Sequence, residues 1–393
     1  MGKKSIAIVT PYGAEPRYDN YPEFILAEGL VERGWGVKMY TYALRGIPTY
    51  RTDLVYKGIT VARCRQRFGI SPKLFLYLLY SRPDVVLCYH PKNFLSYTAL
   101  LAARVIGARF IVEVTGILHD PYIVDDVDDP EATLKKNPHL ITGIAGFVKD
   151  VFKGGVRRSW NNYVLHSPTG NADRIIAINE QEKKYVLEFY GRSAERIYCA
   201  TPRARDEGEM RPHVGTIPDD FLFFIGQIKR RKGWDTAIEG IAVLRSAGHS
   251  AHLVFVTPQK DLAVPIAYAR ERGVLNDITF LSAVSNEERQ WLYRHARAVL
   301  VPSTYEGFGL PVFEAFLAGA PVCASDIPVF REFLTNRENA ILFKMGSSEA
   351  LARAVIELDS DPALREHLIE NGRETAQRFS YGRMVEEHIR VFS

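Results

Sequence analysis

Two acids eight positions apart, Glu306 and Glu314, flank the segment Gly307-Phe308-Gly309-Leu310-Pro311. Carboxylates at such a spacing can do acid–base work or accept hydrogen bonds from hydroxyl groups. The preceding run Ala298-Val299-Leu300-Val301 reads as a buried strand, too short and too β-branched for a helix. Gly307 and Gly309 give the following turn a permissive backbone. Pro311 suits the first helical position, so a helix is predicted from Val312 to about Ala318, closed by Gly319 and Pro321. The amides of Phe308, Gly309 and Leu310 then lie at a helix N-terminus, where a phosphate or pyrophosphate binds well. Glu306 reaches a sugar or alcohol attached to that phosphate. Glu314, about one turn into the helix, can accept two hydrogen bonds from a vicinal diol such as a ribose.

A second cluster, Gly226-Gln227-Ile228-Lys229-Arg230-Arg231-Lys232-Gly233, follows the predicted strand at 221–225. Its bases face no acid within the loop, so an external anion is a natural partner. Lys229 reads equally as a solvated side chain. Phe280-Leu281-Ser282-Ala283-Val284-Ser285 forms another strand and turn.

The residues EGFGLP and the spacing of Glu306 and Glu314 resemble the E-x7-E signature of retaining nucleotide-sugar glycosyltransferases of family four, with the GT-B fold. The resemblance implies two doubly wound Rossmann-like α/β domains facing across a cleft. The implied reaction moves a sugar from a nucleotide-diphosphate donor to an acceptor hydroxyl, with no cofactor and no metal. Glu306 and Lys232 take the catalytic positions. Gln227, Phe308, Gly309, Leu310, Glu314 and Val284 take the donor-binding ones. Gln227 stands where the family carries an Arg; either Arg230 or Arg231 substitutes for it, or the neutral amide of Gln227 hydrogen-bonds the phosphate. On the acceptor or sugar side the resemblance points to Gly13, Thr115 and His119. Thr115 stands where relatives commonly have a histidine before a glycine, and His119 is either its replacement or a surface loop residue. Gly13 is either a phosphate-side glycine or a plain turn. A nucleotide-sugar epimerase of the same fold and a non-catalytic partner subunit are the alternatives.

Strands and helices alternate along the chain, which is the pattern of a parallel α/β architecture. Strands are predicted at 5–10, 37–42, 84–88, 110–114 and 174–178, and again at 221–225, 253–256, 278–281, 298–301 and 321–325. Helices are predicted at 21–33, 97–106, 180–190, 234–247, 286–296 and 381–392. Residues 201–220 are rich in Pro, Gly and charge and read as an interdomain linker. The expected division is 1–205 for an acceptor-side domain, 206–375 for a donor-side domain and 376–393 for a terminal helix. In the resembled fold that helix packs back on the first domain.

The chain has 393 residues, too many for one ordinary core, and its net charge of +4 makes no case for nucleic acid. Cys64, Cys88, Cys199 and Cys323 show no paired spacing, so neither a disulfide framework nor a zinc site is expected. No signal-peptide pattern and no run of 18 apolar residues occurs, which points to the cytoplasm. Asp125-Asp126-Val127-Asp128-Asp129 reads as a solvated acidic loop rather than a metal site. Residues 140–160 mix apolar positions at helical spacing with Lys149, Lys153, Arg157 and Arg158. They form either a packed helix or a contact with an anionic membrane, where a lipid-linked glycan acceptor would lie.

Overall fold

The computed structural model describes residues 4–11, 22–42, 53–65, 70–116, 123–126, 129, 132–136, 139–198, 210–213 and 217–393. The chain divides into two compact units. The first comprises Met1–Asp125, Thr133–Arg203 and Tyr381–Ser393, and the second Asp126–Ala132 and Ala204–Ser380. The division therefore falls at 203/204 rather than 205/206. The final return falls at 380/381 rather than 375/376. Helix 362–378 stays with the second unit, and only the last helix leaves it.

In the first unit the strands are β1 (Ser5–Val9), β2 (Gly36–Tyr42), β3 (Leu54–Tyr56), β4 (Ile59–Cys64), β5 (Val85–Tyr89), β6 (Arg109–Val114), β7 (Arg174–Ala177) and β8 (Glu195–Arg196). Their order in the sheet is β3-β4-β2-β1-β5-β6-β7-β8. The pairing is parallel apart from the β3–β4 hairpin. The helices are α1 (Pro22–Glu32), α2 (Pro72–Ser81), α3 (Phe94–Ile106), α4 (Ile144–Gly154), α5 (Val156–Gly170) and α6 (Glu180–Tyr190). Asn93 and Asn179 cap α3 and α6 by accepting from the backbone N–H three residues on.

The second unit carries β9 (Leu222–Ile225), α7 (Trp234–Ser246), β10 (Leu253–Thr257), α8 (Ala263–Glu271), β11 (Ile278–Ser282), α9 (Asn286–His295), β12 (Ala298–Val301), α10 (Leu310–Ala318), β13 (Val322–Ser325), β14 (Ile341–Phe343), α11 (Ser348–Ser360) and α12 (Pro362–Arg378). Its sheet runs β11-β10-β9-β12-β13-β14, all parallel. Every residue of β10 and β12 is buried, as expected for parallel strands covered by helices on both faces.

The last helix, α13 (Tyr381–Phe392), packs against α1 in the first unit. Met384, Val385, Val391 and Phe392 join the core there with Phe24, Leu30 and Trp35. His388 Nε2 lies 3.0 Å from Glu113 Oε2, with both side chains buried.

Candidate functional site

Sheet order locates the places where a ligand can enter each unit. In an open parallel sheet, the loops leaving adjacent strands in opposite directions open a crevice at the carboxyl ends. In the second unit that reversal falls between β9 and β12, which pair through Leu222↔Ala298 and Phe223↔Val299. The loop after β9 carries Lys232 and the loop after β12 carries Glu306. Thr304 N donates to Arg231 O at 2.8 Å and ties the two loops together.

Across that junction Lys232 Nζ lies 2.6 Å from Glu306 Oε1, and both side chains are largely buried. Ser303 Oγ donates to the same carboxylate oxygen at 2.8 Å. Burial alone would raise the Glu306 pKa. The Lys232 ammonium, the charge of Arg231 and the Ser303 hydroxyl outweigh burial and hold it below the usual carboxylate value. Glu306 is therefore a carboxylate at neutral pH, able to accept hydrogen bonds and unsuited to act as a proton donor.

The backbone that sets this pair is sterically demanding. Arg230–Lys232 forms a single 3₁₀ turn, and Gly233 follows at φ +64°. A Cβ at Gly233 would stand 1.9 Å from the Pro302 carbonyl oxygen, so only glycine lets the two loops approach. Gly309, at φ +94°, caps α10, and a Cβ there would meet Phe330 Cε1 at 2.5 Å. Helix α10 begins at Leu310, earlier than the expected Val312, and Pro311 is its second residue rather than its first. The Phe308 side chain turns inward and stacks on Phe313, with centroids 4.4 Å apart and planes 8° from parallel. That packing anchors the turn whose backbone leads into the helix.

Glu314 lies in α10. Its Oε2 accepts from Tyr293 Oη at 2.6 Å, and its Oε1 is 3.6 Å from Arg289 Nη1. Burial first, and the neighbouring Glu314 carboxylate second, push the Tyr293 phenol well above its usual value, so it stays protonated and donates. One Glu314 oxygen is thus committed within the protein, which leaves less capacity for a diol than two free oxygens would.

Gln227 is exposed, and its carbonyl accepts from Lys229 N at 2.8 Å. Lys229 and Arg230 are exposed as well. Arg231 is half-buried, and its Nε has no hydrogen-bond partner among the described residues. Ile228 N donates to Gln259 Oε1 at 2.7 Å, and Thr257 Oγ1 donates to the same oxygen at 2.6 Å. The loop after β10 therefore braces the loop after β9. Val284 is half-buried in the turn after β11, beside Ala283 at φ +57°. Ser285, the next residue, forms a reciprocal capping box with Glu288 at the start of α9.

In the first unit the strand order reverses between β1 and β5. Gly13 and His119 lie outside the described residues. Thr115, just beyond β6, is described, and it touches a residue that belongs to none of the sequence motifs. His90, just beyond β5, has φ +49° and places Nδ1 3.2 Å from the Thr115 carbonyl oxygen. The Thr115 hydroxyl is also hydrogen-bonded to Nδ1. Burial lowers the His90 pKa, against the opposing effects of the Thr115 carbonyl and Glu113, so the imidazole is neutral at pH 7. A histidine directly after the apolar run Val85–Tyr89 was a readable signal, since carboxyl ends of parallel strands are where ligands bind. Tyr293, Arg289 and Ser303 gave no such signal. Their roles depend on which elements fold next to α10 and the β12 loop.

Among the described residues no cluster of three or more His, Cys, Asp or Glu is arranged to hold a metal ion. Cys64, Cys88 and Cys323 are free and buried. No helix among the described residues is long and apolar enough to cross a membrane.

The two halves match two family descriptions, "Glycosyltransferase Family 4" over residues 24–201 and "Glycosyl transferases group 1" over residues 209–375. The Bacillus subtilis protein EpsD, which carries a glycosyltransferase name, is 29% identical over 61% of this chain and 66% of its own length. The D-inositol 3-phosphate glycosyltransferase of Rhodococcus erythropolis is 29% identical over 53% of this chain and 51% of its own. The chain thus spans about half to two thirds of these relatives. Two solved structures share the fold along nearly the whole length. Sucrose-phosphate synthase from Thermosynechococcus elongatus has a TM-score of 0.70 at 18% identity, covering 99% of this chain and 98% of that one. Anabaena HepE, solved in complex with UDP and glucose, has a TM-score of 0.67 at 16% identity, covering 99% of each chain. With both halves matched in order and each built on a doubly wound parallel sheet, the chain belongs to the group 1, family-four glycosyltransferases of GT-B fold.

Proposed function

We propose that this protein is a retaining hexosyltransferase that moves a sugar from a nucleotide-diphosphate donor to an acceptor hydroxyl. Its place would be in the synthesis of a cell-surface polysaccharide or glycolipid. The observation that carries this reading is the Lys232–Glu306 pair at the strand-order reversal of the second unit.

When a donor binds, its diphosphate competes with Glu306 for the Lys232 ammonium. Arg231 and the backbone at the start of α10 add positive potential beside it. Glu306, released from part of its ion pair, accepts hydrogen bonds from the sugar hydroxyls. Glu314 takes one ribose hydroxyl, with its second oxygen held by Tyr293. The turn at Val284 contacts the base. Gln227 supplies a neutral amide where a second cation would otherwise stand.

In the transfer step the acceptor oxygen attacks the anomeric carbon on the face the leaving group departs from. The anomeric C–O bond breaks, and its electron pair goes to the β-phosphate oxygen. That oxygen takes the acceptor hydroxyl proton. Lys232 stabilises the charge that grows on the leaving diphosphate, which is where preorganised electrostatics contribute most. The reaction as written uses no protein nucleophile and no metal. Thr115 and the neutral His90 imidazole offer hydroxyl and ring-nitrogen groups for the sugar or the acceptor, a lipid-linked glycan in this reading.

The test is turnover of a panel of UDP-, GDP- and ADP-sugars with glycan and lipid-linked acceptors, and proton NMR of the product anomer. Retention of the donor's anomeric configuration supports the reading. Inverted product, or turnover unaffected in Lys232→Ala, overturns it.

A further inference from the structure

Helix α4 presents two different apolar faces, and among the described residues only one of them has a partner. Phe147 packs against Trp160 and Tyr163 at ring distances of 5.8 and 5.6 Å, within a small core that includes Tyr97 and Ile141. Phe147 and Val151 therefore mark the inward face. Ile144, Val148 and Phe152 recur every fourth residue on a neighbouring stripe, and they are 69%, 51% and 87% exposed. Val156, at the start of α5, is 64% exposed. No residue of α4 is fully buried. A large aromatic left almost wholly in water on an amphipathic helix marks a contact surface rather than chance exposure.

Charge says what the contact is made with. Lys149 and Lys153 follow the stripe on its outer side at the same four-residue spacing, and Arg157 and Arg158 stand exposed at the α4–α5 junction. Lys149, Lys153 and Arg157 make no ion pair among the described residues. Asp150, the one acid on α4, is already engaged by His139 Nε2 and Ser159 Oγ, each at 2.8 Å. Gly154, Gly155, Val156, Arg157, Arg158 and Asn161 line an open hollow of about 520 Å³ at that junction, so two of its six lining residues are arginines. An apolar stripe bordered by unpaired cations fits a surface that is apolar within and anionic at its rim, such as a bilayer of acidic phospholipids. A protein partner would call for a shaped groove, and a second copy of this chain would bring like charges together.

We propose that α4 and the start of α5 form a docking face for an anionic lipid bilayer. Ile144, Val148, Phe152 and Val156 insert at the headgroup boundary, and Lys149, Lys153, Arg157 and Arg158 hold lipid phosphates. The inference stands on this helix alone and holds whether or not the protein transfers a sugar. It deepens the transfer reading by bringing the chain to the surface where a lipid-linked acceptor resides.

The experiment is co-sedimentation of the full chain with vesicles of phosphatidylcholine alone or mixed with phosphatidylglycerol, without donor or acceptor. The wild-type protein binds the anionic vesicles, binds neutral ones weakly, and is released by salt. Phe152→Ser lowers the partition coefficient about tenfold through lost apolar insertion. Lys149→Glu with Lys153→Glu lowers it at least about tenfold and removes the salt dependence. All these positions are exposed, so circular dichroism and melting temperature stay at the wild-type values. Wild-type protein that stays in the supernatant, or variants that sediment like the wild type, overturn the proposal. Concentration-dependent dimerisation abolished by Phe152→Ser, with no vesicle binding, overturns it in favour of a self-contact.

Discussion

The ammonium of Lys232 and the carboxylate of Glu306 lie 2.6 Å apart, each on the loop that leaves one of two adjacent strands at the reversal of strand order. They come from positions 74 residues apart and meet because β9 and β12 are neighbours in the sheet. Each charge makes the burial of the other tolerable, and in the proposed reading the pair is the resting form of the donor site. Removing one partner of a buried pair leaves an uncompensated charge and typically costs about 3–5 kcal/mol. Lys232→Ala and Glu306→Ala are each expected to melt lower than the wild type and to lose about 100-fold or more in kcat. Lys232→Met with Glu306→Gln restores most of the melting temperature and none of the activity. Thermal melts and initial rates on the same preparations separate the two effects.

Glu314 depends on a residue from α9. Tyr293→Phe removes the 2.6 Å hydrogen bond to Glu314 and adds no bulk. Loss of a hydrogen bond to a charged group costs about 1.5–3 kcal/mol. Glu314 would then reorient, so the KM for donor rises severalfold while kcat changes little. An unchanged KM with lower kcat contradicts the diol-holding role.

Two glycines with the same backbone sign separate strain from collision. Gly248 has φ +78° and no atom within 4 Å of where a Cβ would stand, whereas a Cβ at Gly233 collides with Pro302 O. Gly248→Ala carries only the left-handed penalty of about 1–2 kcal/mol. Gly233→Ala is expected to cost clearly more and to displace Lys232, with a matching loss of activity. Equal melting temperatures for the two variants contradict this geometry.

Much of this was legible in the sequence. The alternation of apolar strands and helices gave the parallel α/β class, because strands buried on both faces must be continuously apolar. The turn Gly307–Pro311, with glycines before a proline, announced a helix start within two residues of the observed Leu310. The Lys232–Glu306 contact was not readable, since each residue taken alone looks like a ligand-facing charge and only strand order makes them neighbours. His90 was missed although its place directly after β5 was readable; its contact with Thr115, which follows the adjacent strand β6, was not. The hairpin β3–β4 and helix α2 also escaped notice: the hairpin strands are short, and the α2 run Leu74–Tyr80 is continuously apolar, so it lacks the apolar–polar period that marks a helix. Residues 140–160 read as one helical stretch. The structure breaks it at Gly154-Gly155 into α4 and α5, with Gly155 at φ +80°.

Burial in the first unit makes a pH prediction. Glu23 accepts from Thr10 Oγ1 at 3.1 Å, and its pKa is raised from 4.5 to about 7. Burial is the main cause, with the Glu113 carboxylate adding to it against the hydrogen bonds. Between these values the native state holds a proton that the unfolded chain has lost, so stability falls as pH rises through that window. The effect is at most about 3 kcal/mol. Glu23→Gln, which stays neutral, is expected to raise the melting temperature at pH 8 and to leave it nearly unchanged at pH 4. A variant equally stabilised at both pH values contradicts the assignment.

The most direct measurement is the melting temperature of the wild-type protein and of Lys232→Ala against UDP, GDP and ADP and their sugars. A ligand at ~100 times its Kd stabilises the native state by about 2.7 kcal/mol, a shift of several degrees. One nucleotide series should raise the wild-type melting temperature and leave Lys232→Ala unmoved. No shift with any of them, or an equal shift in the variant, contradicts a diphosphate site built on Lys232 and Glu306.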